Sequence, residues 1–208
     1  MKTPLQYQIS EYDCGPTTLD NAIRFLFERE DIPPEIIRNI TLYCLDCYGD
    51  GGVPGKRGTS RSAMMFLANW LDGYGRVGSI PVSSRYLSGS SVNVKNGGLI
   101  IDALHRGGAV VVRLWFEVEH YALLTGITSD GIMMFDPYYE TIPDIGDATD
   151  IKIVNNAPFT HNRIVPLHYF ESETDSLYAF GPEADREAML LFNNNTKLTE
   201  DKTIEYFI

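Results

Sequence analysis

Hydrophobic residues recur at helical spacing in the first half of the chain and form short continuous runs in the second half. The first half predicts three amphipathic helices that begin near Pro16, Pro34 and Ser60. It also predicts a short fourth helix over residues 98–106. The second half is rich in β-branched and aromatic residues and predicts strands at 109–116, 120–125 and 132–136. Helices followed by strands predict an α+β fold, with N-terminal helices packed on a C-terminal antiparallel sheet.

Several stretches carry weaker patterns. Gly73 and Gly75 are expected to end the third helix, and residues 77–96 predict one short strand followed by a loop. Residues 183–192 predict a helix, and the C-terminal residues 203–208 resemble a strand.

Length and composition indicate one compact domain over residues 1–208, mainly helical over 1–106 and mainly strand over 107–208. The chain is 44% hydrophobic and has a formal net charge of −11, which argues against nucleic-acid or anionic-membrane binding and favours neutral or basic partners. It contains no membrane-length apolar run and no signal-peptide pattern, so a cytoplasmic protein is expected. Nothing in the pattern indicates an oligomeric state.

Cys14 stands where the first helix should begin. Pro16 suits the first helical turn, which places Cys14 at the helix N-terminus, where unpaired N–H groups and the helix dipole stabilise an anion. The thiolate form of Cys14 should therefore be favoured, as a nucleophile requires. The alternative is a small buried side chain beside a helix cap.

The other two cysteines form a Cys-x-x-Cys pair, Cys44 and Cys47. A zinc site would need a second ligand pair nearby, and a redox motif would need a preceding strand. We interpret them as two reduced cysteines at the end of a helix. No metal and no cofactor are expected.

A cysteine nucleophile needs a histidine as general base and acid, and a third group to orient that histidine. His120 begins a strand directly after a polar turn and is the first candidate. His161, in a polar loop, is the second. His105 has the surroundings of a surface residue, and His168 lies in an apolar run.

Asp136 ends the strand that follows His120, and Pro137 keeps it out of a helix. If the loop between the two strands spans residues 126–130, His120 and Asp136 lie directly opposite each other on one face. A tight turn at 130–131 would instead put Asp136 opposite Thr125, roughly 16 Å from His120 at ~3.3 Å per residue. The sequence argument therefore requires the longer loop. The alternative for Asp136 is a turn-forming Asp-Pro pair.

Together these motifs resemble the bacteriocin-processing double-glycine cysteine peptidases and their stand-alone relatives, which are papain-like. The resemblance is carried by Gln8 and by residues 13–17, 107–111, 120–126 and 135–137. It implies Cys14 as nucleophile, His120 as general base and acid, Asp136 as the residue that orients His120, and Gln8 as the side-chain donor of an oxyanion hole. An amide side chain and the backbone N–H of the nucleophile form a workable pair of donors.

The sequence thus predicts a cysteine peptidase or amidase that cleaves a peptide or amide substrate through a thioester at Cys14. Two alternatives stay open: an acyltransferase that uses the same thioester, and a non-catalytic peptide-binding module of the same fold. Membrane-spanning transporter segments, to which bacteriocin-processing members are commonly fused, are not found in this sequence.

Overall fold

The computed structural model describes residues 1–78, 80–140, 145–146 and 148–198. The α-helices within these residues are α1 Cys14–Leu26, α2 Pro34–Cys44, α3 Arg61–Val77, α4 Leu99–His105 and α5 Leu167–Phe170. The first four helices confirm the helical pattern of the first half. At the start of α3, Ser60 Oγ accepts a hydrogen bond from the Ala63 backbone N–H and so caps the helix.

The strands of the described residues form one antiparallel sheet of seven strands. They are β1 Val82–Ser88, β2 Ala109–Phe116, β3 Val118–Thr128, β4 Gly131–Phe135, β5 Lys152–Ile153, β6 Arg163–Val165 and β7 Glu187–Asn193. Their order across the sheet is β1-β7-β2-β3-β4-β6-β5. The α+β class is therefore confirmed, although β1 from the first half also joins the sheet.

The sheet separates two hydrophobic layers, because successive residues of a strand point to opposite faces. On one face, α1, α2 and α3 pack on Val111, Tyr121 and Leu123. On the other, α4 and the segment around Phe170 pack on Val112 and Ala122. Central strands are thus buried on both sides, which explains their continuous apolar runs.

Two predictions from the weaker patterns are wrong. Helix α3 does not end at Gly73 or Gly75 but continues to Val77. A Cβ at Gly75 would lie 1.7 Å from the Val82 carbonyl oxygen, so this glycine allows the helix to pack against the start of β1. The helix predicted over 183–192 is instead a short 3-10 turn followed by β7.

Strand β7 shows how tertiary position overrides helix propensity. Its sequence, Glu-Ala-Met-Leu-Leu-Phe-Asn, contains good helix formers, but it pairs with β1 on one side and β2 on the other. Its first six residues are all buried, as in a strand that is covered on both faces. The strand expected at 203–208 lies outside the described residues.

Candidate active site

Cys14 is the first residue of α1, as predicted, and its side chain is buried with 9% exposure. The helix is attached to β3 by a hydrogen bond from Thr18 Oγ1 to the Tyr121 carbonyl, 3.0 Å long. Gly15 is required by close packing, since a Cβ there would lie 2.1 Å from Thr59 Oγ1. The start of α1 is therefore held at a fixed distance both from the sheet and from the residues that precede α3.

Asp13 orders the loop that leads into α1. Its carboxylate accepts hydrogen bonds from the backbone N–H groups of Ile9 (3.1 Å) and Ser10 (2.7 Å) and from Ser10 Oγ (2.8 Å). Its backbone carbonyl accepts from Thr17 N. The Asp13 side chain thus holds the two ends of the loop between Gln8 and Cys14 together.

Gln8 lies at the other end of this loop and lines the same cavity as Cys14. Its backbone N–H donates to the Pro137 carbonyl at 2.8 Å, which joins the loop to the residue after Asp136. Its side-chain Nε2 donates to the Ser10 carbonyl at 2.8 Å, while Oε1 is buried without a hydrogen-bond partner among the described residues. One N–H of the amide remains for a further acceptor.

His120 and Asp136 are in direct contact. His120 Nε2 lies 2.8 Å from Asp136 Oδ1, and both side chains are almost fully buried. The Asp136 carboxylate acts as acceptor, so Nε2 carries the proton and Nδ1 is the nitrogen left for another partner. Cys14 contributes to raising the pKa of the same ring.

The strand pairing that produces this contact differs from the prediction. The β3–β4 turn is tight, with Thr128 opposite Gly131, so the requirement for a longer loop was wrong. A bulge between Leu124 and Gly126 then shifts the register, so that Leu123 faces Phe135. One step further, Asp136 falls opposite Ala122, two residues from His120 and on its face of the sheet.

The bulge decides which face Asp136 occupies. Without it, the pairing of Gly126 with Met133 would continue and place Asp136 opposite Leu123, three residues from His120. Because side chains alternate between faces, Asp136 would then lie on the opposite side of the sheet from His120. The single extra residue, Thr125, thus brings the imidazole and the carboxylate together.

The electrostatics of the pair favour the ionised forms. Burial alone lowers the pKa of His120, but the charge and hydrogen bond of Asp136, together with Cys14, outweigh burial and raise the pKa to about 10. Burial acts in the opposite sense on Asp136, yet His120 and Arg163 hold the pKa of Asp136 below its usual value. The arrangement therefore supports an imidazolium beside a carboxylate.

Two further residues hold Asp136, and no pattern in the sequence indicated either role. Tyr178 OH donates to Asp136 Oδ2 at 2.9 Å. Asn162 binds the Asp136 backbone on both sides, accepting from its N–H and donating to its carbonyl, each at 2.8 Å. Both lie in the part of the chain that resembles no motif, and their contacts span 42 and 26 residues of sequence.

The other histidines lie elsewhere. His161, the second candidate for the base, has Nδ1 2.8 Å from Thr160 Oγ1, and burial lowers its pKa. It does not line the cavity that contains Cys14. His168 does line this cavity, but its Nε2 lies 3.7 Å from Asp150 Oδ2 and its side chain is 67% exposed. His105 is the last residue of helix α4.

Cys44 and Cys47 are free thiols. Cys44 is buried at the end of α2, and burial raises its pKa to about 12. Among the residues that the structure describes, no cluster of histidine, cysteine or acidic side chains could hold a metal ion. The same residues contain no helix with the length and apolarity needed to cross a bilayer.

A cavity of about 890 Å³ opens beside these residues. Its lining includes Gln8, Cys14, Phe116, His120 and Tyr138. Asp136 lies behind His120, with no exposed surface. The structure therefore brings Gln8, Cys14 and His120 to one cavity, with Asp136 supporting the histidine from the protein interior.

In the order and placement of these elements, the fold is papain-like: a cysteine begins a helix that packs on an antiparallel sheet, and the sheet carries the histidine and then the aspartate. No family model matches the chain, and no curated protein is similar to it in sequence.

Solved structures, in contrast, show similarity over most of the chain. One is a double glycine motif protease from an AMS/PCAT transporter in complex with the leader peptide; the match covers 92% of this chain and 90% of that one, at 13% identity and a TM-score of 0.45. Another is the peptidase domain of Streptococcus mutans ComA, with coverage of 91% and 98%, 13% identity and a TM-score of 0.40.

Proposed function

We propose that the chain is a papain-like cysteine peptidase or amidase with Cys14 as nucleophile, His120 as general base and acid, and Asp136 as the residue that orients His120. The observation that carries the proposal is the 2.8 Å contact between His120 Nε2 and Asp136 Oδ1, which leaves Nδ1 for Cys14. Because one sheet takes strands from both halves of the chain, we also propose that the active unit is a single domain.

Because His120 is an imidazolium, its Nδ1 already holds the proton of the Cys14 thiol when the first half of the reaction begins, and the Cys14 thiolate attacks the carbonyl carbon of the substrate. The carbonyl π electrons move to the oxygen, which becomes an oxyanion. When the intermediate collapses, the C–N bond breaks and the imidazolium of His120 protonates the leaving amine. The product is a thioester on Cys14 and a free amine.

The oxyanion needs donors that are in place before the reaction. We propose that Gln8 Nε2 and the backbone N–H of Cys14 supply them, at the helix N-terminus where negative charge is also favoured. The hydrogen bond from Gln8 Nε2 to the Ser10 carbonyl supports this role, because it fixes the amide while leaving its second N–H available. The hydrogen bond from the Gln8 backbone N–H to the Pro137 carbonyl holds Gln8 beside the segment that follows Asp136.

In the second half, a water molecule attacks the thioester and gives up a proton to His120, which returns it to the Cys14 sulfur as the acid product leaves. If an amine attacks in place of water, the same steps transfer the acyl group, and the protein is an acyltransferase. A peptide-binding module without catalysis is the third possibility, in which no acyl group reaches Cys14.

The lining of the cavity bears on the substrate. Five acidic residues line it, and no lysine or arginine does so among the described residues; the five are Glu11, Glu117, Glu119, Glu140 and Asp175. One of them, Glu119, pairs with Arg113 at 2.7 Å. A cavity lined in this way favours neutral or basic peptides over acidic ones.

The test is mass spectrometry of the products from a peptide panel with basic, neutral or acidic residues around the scissile bond, with and without an added amine. Cys14→Ala and His120→Ala should each lower kcat/KM by at least about 10³-fold, because both residues take part in bond making. An acyl adduct on Cys14 should accumulate with slow substrates.

Cys47→Ala is the matched control, because Cys47 is a free thiol that does not line the cavity. It should cleave at the wild-type rate. Turnover that persists in Cys14→Ala would refute the proposal, and amide products in the presence of the amine would identify acyl transfer instead of hydrolysis.

A further inference from the structure

Each oxygen of the buried Asp136 carboxylate has its own donors. Oδ1 accepts from His120 Nε2 at 2.8 Å and from the Tyr138 backbone N–H at 2.9 Å. Oδ2 accepts from Tyr178 OH at 2.9 Å. A buried carboxylate with one unpartnered oxygen would be costly, so the Tyr178 hydroxyl completes its coordination.

Tyr178 is held in an unusual backbone conformation. Its φ is +58°, in the left-handed region that aromatic residues rarely adopt, and its side chain has no exposed surface. Its backbone N–H donates to the Trp115 carbonyl at 2.7 Å, and its ring stacks on Phe116 with centroids 6.0 Å apart. Phe116 in turn lies 5.7 Å from the His120 ring. Strain of this kind persists where the surroundings fix the residue, and here they fix its hydroxyl against Asp136.

Behind Tyr178 stands a buried cation. Arg163 Nε donates to Tyr178 OH at 3.3 Å, and Arg163 Nη1 donates to the Asn162 carbonyl at 3.2 Å. Arg163 is 4% exposed. Burial, and then the charge of Asp136, raise the pKa of Tyr178, so its hydroxyl keeps its proton and remains a donor to Asp136. The contacts form a chain from Arg163 through Tyr178 and Asp136 to His120.

We propose that Tyr178 is a positioning residue for the candidate catalytic pair: its hydroxyl fixes the Asp136 carboxylate so that Oδ1 faces His120, and Arg163 supports this arrangement from behind. The inference rests on the proposed function, because it assigns to Tyr178 a part in the same reaction. Tyr178 does not line the cavity, and its hydroxyl reaches the candidate pair through the hydrogen bond to Asp136.

The sharpest variant is Tyr178→Phe, which keeps the ring and its stacking and removes only the hydroxyl. We expect about a tenfold fall in kcat with KM changed less than about twofold, since a hydrogen bond to a buried charge is lost and substrate contacts are not. The iodoacetamide alkylation rate of Cys14 at neutral pH should fall by a similar factor, because a poorly oriented His120 stabilises the thiolate less well.

Tyr86→Phe is the matched control. Tyr86 OH donates to the carboxylate of Glu187 at 2.6 Å, so this variant removes the same type of bond away from the cavity. It should leave kcat and the alkylation rate at wild-type values. Equal values in Tyr178→Phe and Tyr86→Phe would overturn the proposal.

A second variant and a spectroscopic readout cover the case in which Tyr178→Phe does not fold. Arg163→Met keeps the Tyr178 hydroxyl but removes the cation behind it, and should lower the alkylation rate in the same direction. In the wild-type protein, the His120 Nε2–H proton should give a downfield NMR resonance, and the Tyr178 hydroxyl proton should exchange slowly. A fast-exchanging hydroxyl would contradict the assigned contact.

The two failures can be told apart. Alkylation and NMR need no substrate, so they test Tyr178 even if no peptide is cleaved. If cleavage is never found but Tyr178→Phe still slows alkylation, the positioning role holds and the peptidase function fails. If peptides are cleaved and Tyr178→Phe behaves as wild type, only the role of Tyr178 fails.

Discussion

Two buried carboxylates lie on opposite faces of the same sheet. Successive residues of β3 hold them: His120 binds Asp136, and Tyr121 OH donates to Glu187 at 2.6 Å. Both carboxylates also have a tyrosine donor and an arginine nearby, Tyr178 with Arg163 for Asp136, and Tyr86 with Arg113 for Glu187. In burial and in type of partner the two sites are almost alike.

The two sites differ in whether a partner of the carboxylate reaches a cavity. The hydroxyl groups of Tyr121 and Tyr86 end at Glu187, and the gap that the described residues leave beside them has no room for a water molecule. His120 instead has a second ring nitrogen and lines the large cavity together with Cys14. A buried carboxylate that is paired with a tyrosine and an arginine is therefore not by itself a sign of an active site. It serves chemistry where its partner can pass a proton to a reacting group.

The comparison is tested most strongly by removing one negative charge from each site. Asp136→Asn should lower kcat/KM by about 10³- to 10⁴-fold, because an amide can hold the imidazole but does not stabilise its cation. Glu187→Gln should change kcat/KM less than about threefold and should instead destabilise the fold by roughly 2–4 kcal/mol, since Arg113 loses a buried partner.

Peptide cleavage and urea unfolding on the same samples would measure both effects. Loss of activity in Glu187→Gln without loss of stability would show that the two sites are not separate in function.

The second test concerns Gln8, which lines the same cavity as His120. Gln8→Ala should lower kcat by about 10²-fold with little change in KM, because an oxyanion-hole donor acts only in the transition state. Gln6→Ala is the matched control: Gln6 is exposed and its bonds to Asn21 are made by its backbone. Steady-state kinetics of both variants would decide, and equal kcat values would exclude Gln8 from the oxyanion hole.

The third test uses pH. The pKa of His120 is raised to about 10, so the imidazolium needed to protonate the leaving amine should be lost only as pH rises through that value. In Asp136→Asn the charge that raises the pKa is gone and burial, which lowers it, remains. The alkaline limb of kcat/KM should then move to lower pH.

An NMR titration of the His120 ring gives the same pKa without substrate. A His120 pKa that is equal in the wild type and in Asp136→Asn would contradict the coupling between the two residues.

The sequence was sufficient to find Cys14, His120 and Asp136 as candidates. Each stands at the end of a predicted helix or strand, where the neighbouring residues indicate the local conformation. The residues that hold Asp136 were not found, since Asn162 and Tyr178 meet it only in the folded chain. Strand β7 was predicted as a helix because its helix-forming residues carry no sign of their central place in the sheet.

The register of the β3–β4 hairpin was the most instructive error. The pattern allowed a tight turn or a longer loop, and neither alternative included the bulge that the structure contains. Gly126, inside an apolar strand, was a signal for a bulge. A Cβ there would lie 2.8 Å from Met133 Cε, which shows how closely the bulged strand approaches its neighbour.

Because of this bulge, the β3–β4 hairpin should tolerate insertions at its tip but not between His120 and the bulge. Residues added at the tip, between Thr128 and Gly131, would enlarge the turn and leave the pairing of the strands as it is. One residue added or removed between His120 and the bulge would move every side chain from the start of β3 to that point onto the opposite face of the sheet. His120 would then point away from Asp136. Among homologous sequences, length variation in this hairpin should therefore be confined to its tip wherever the histidine and the aspartate are both retained.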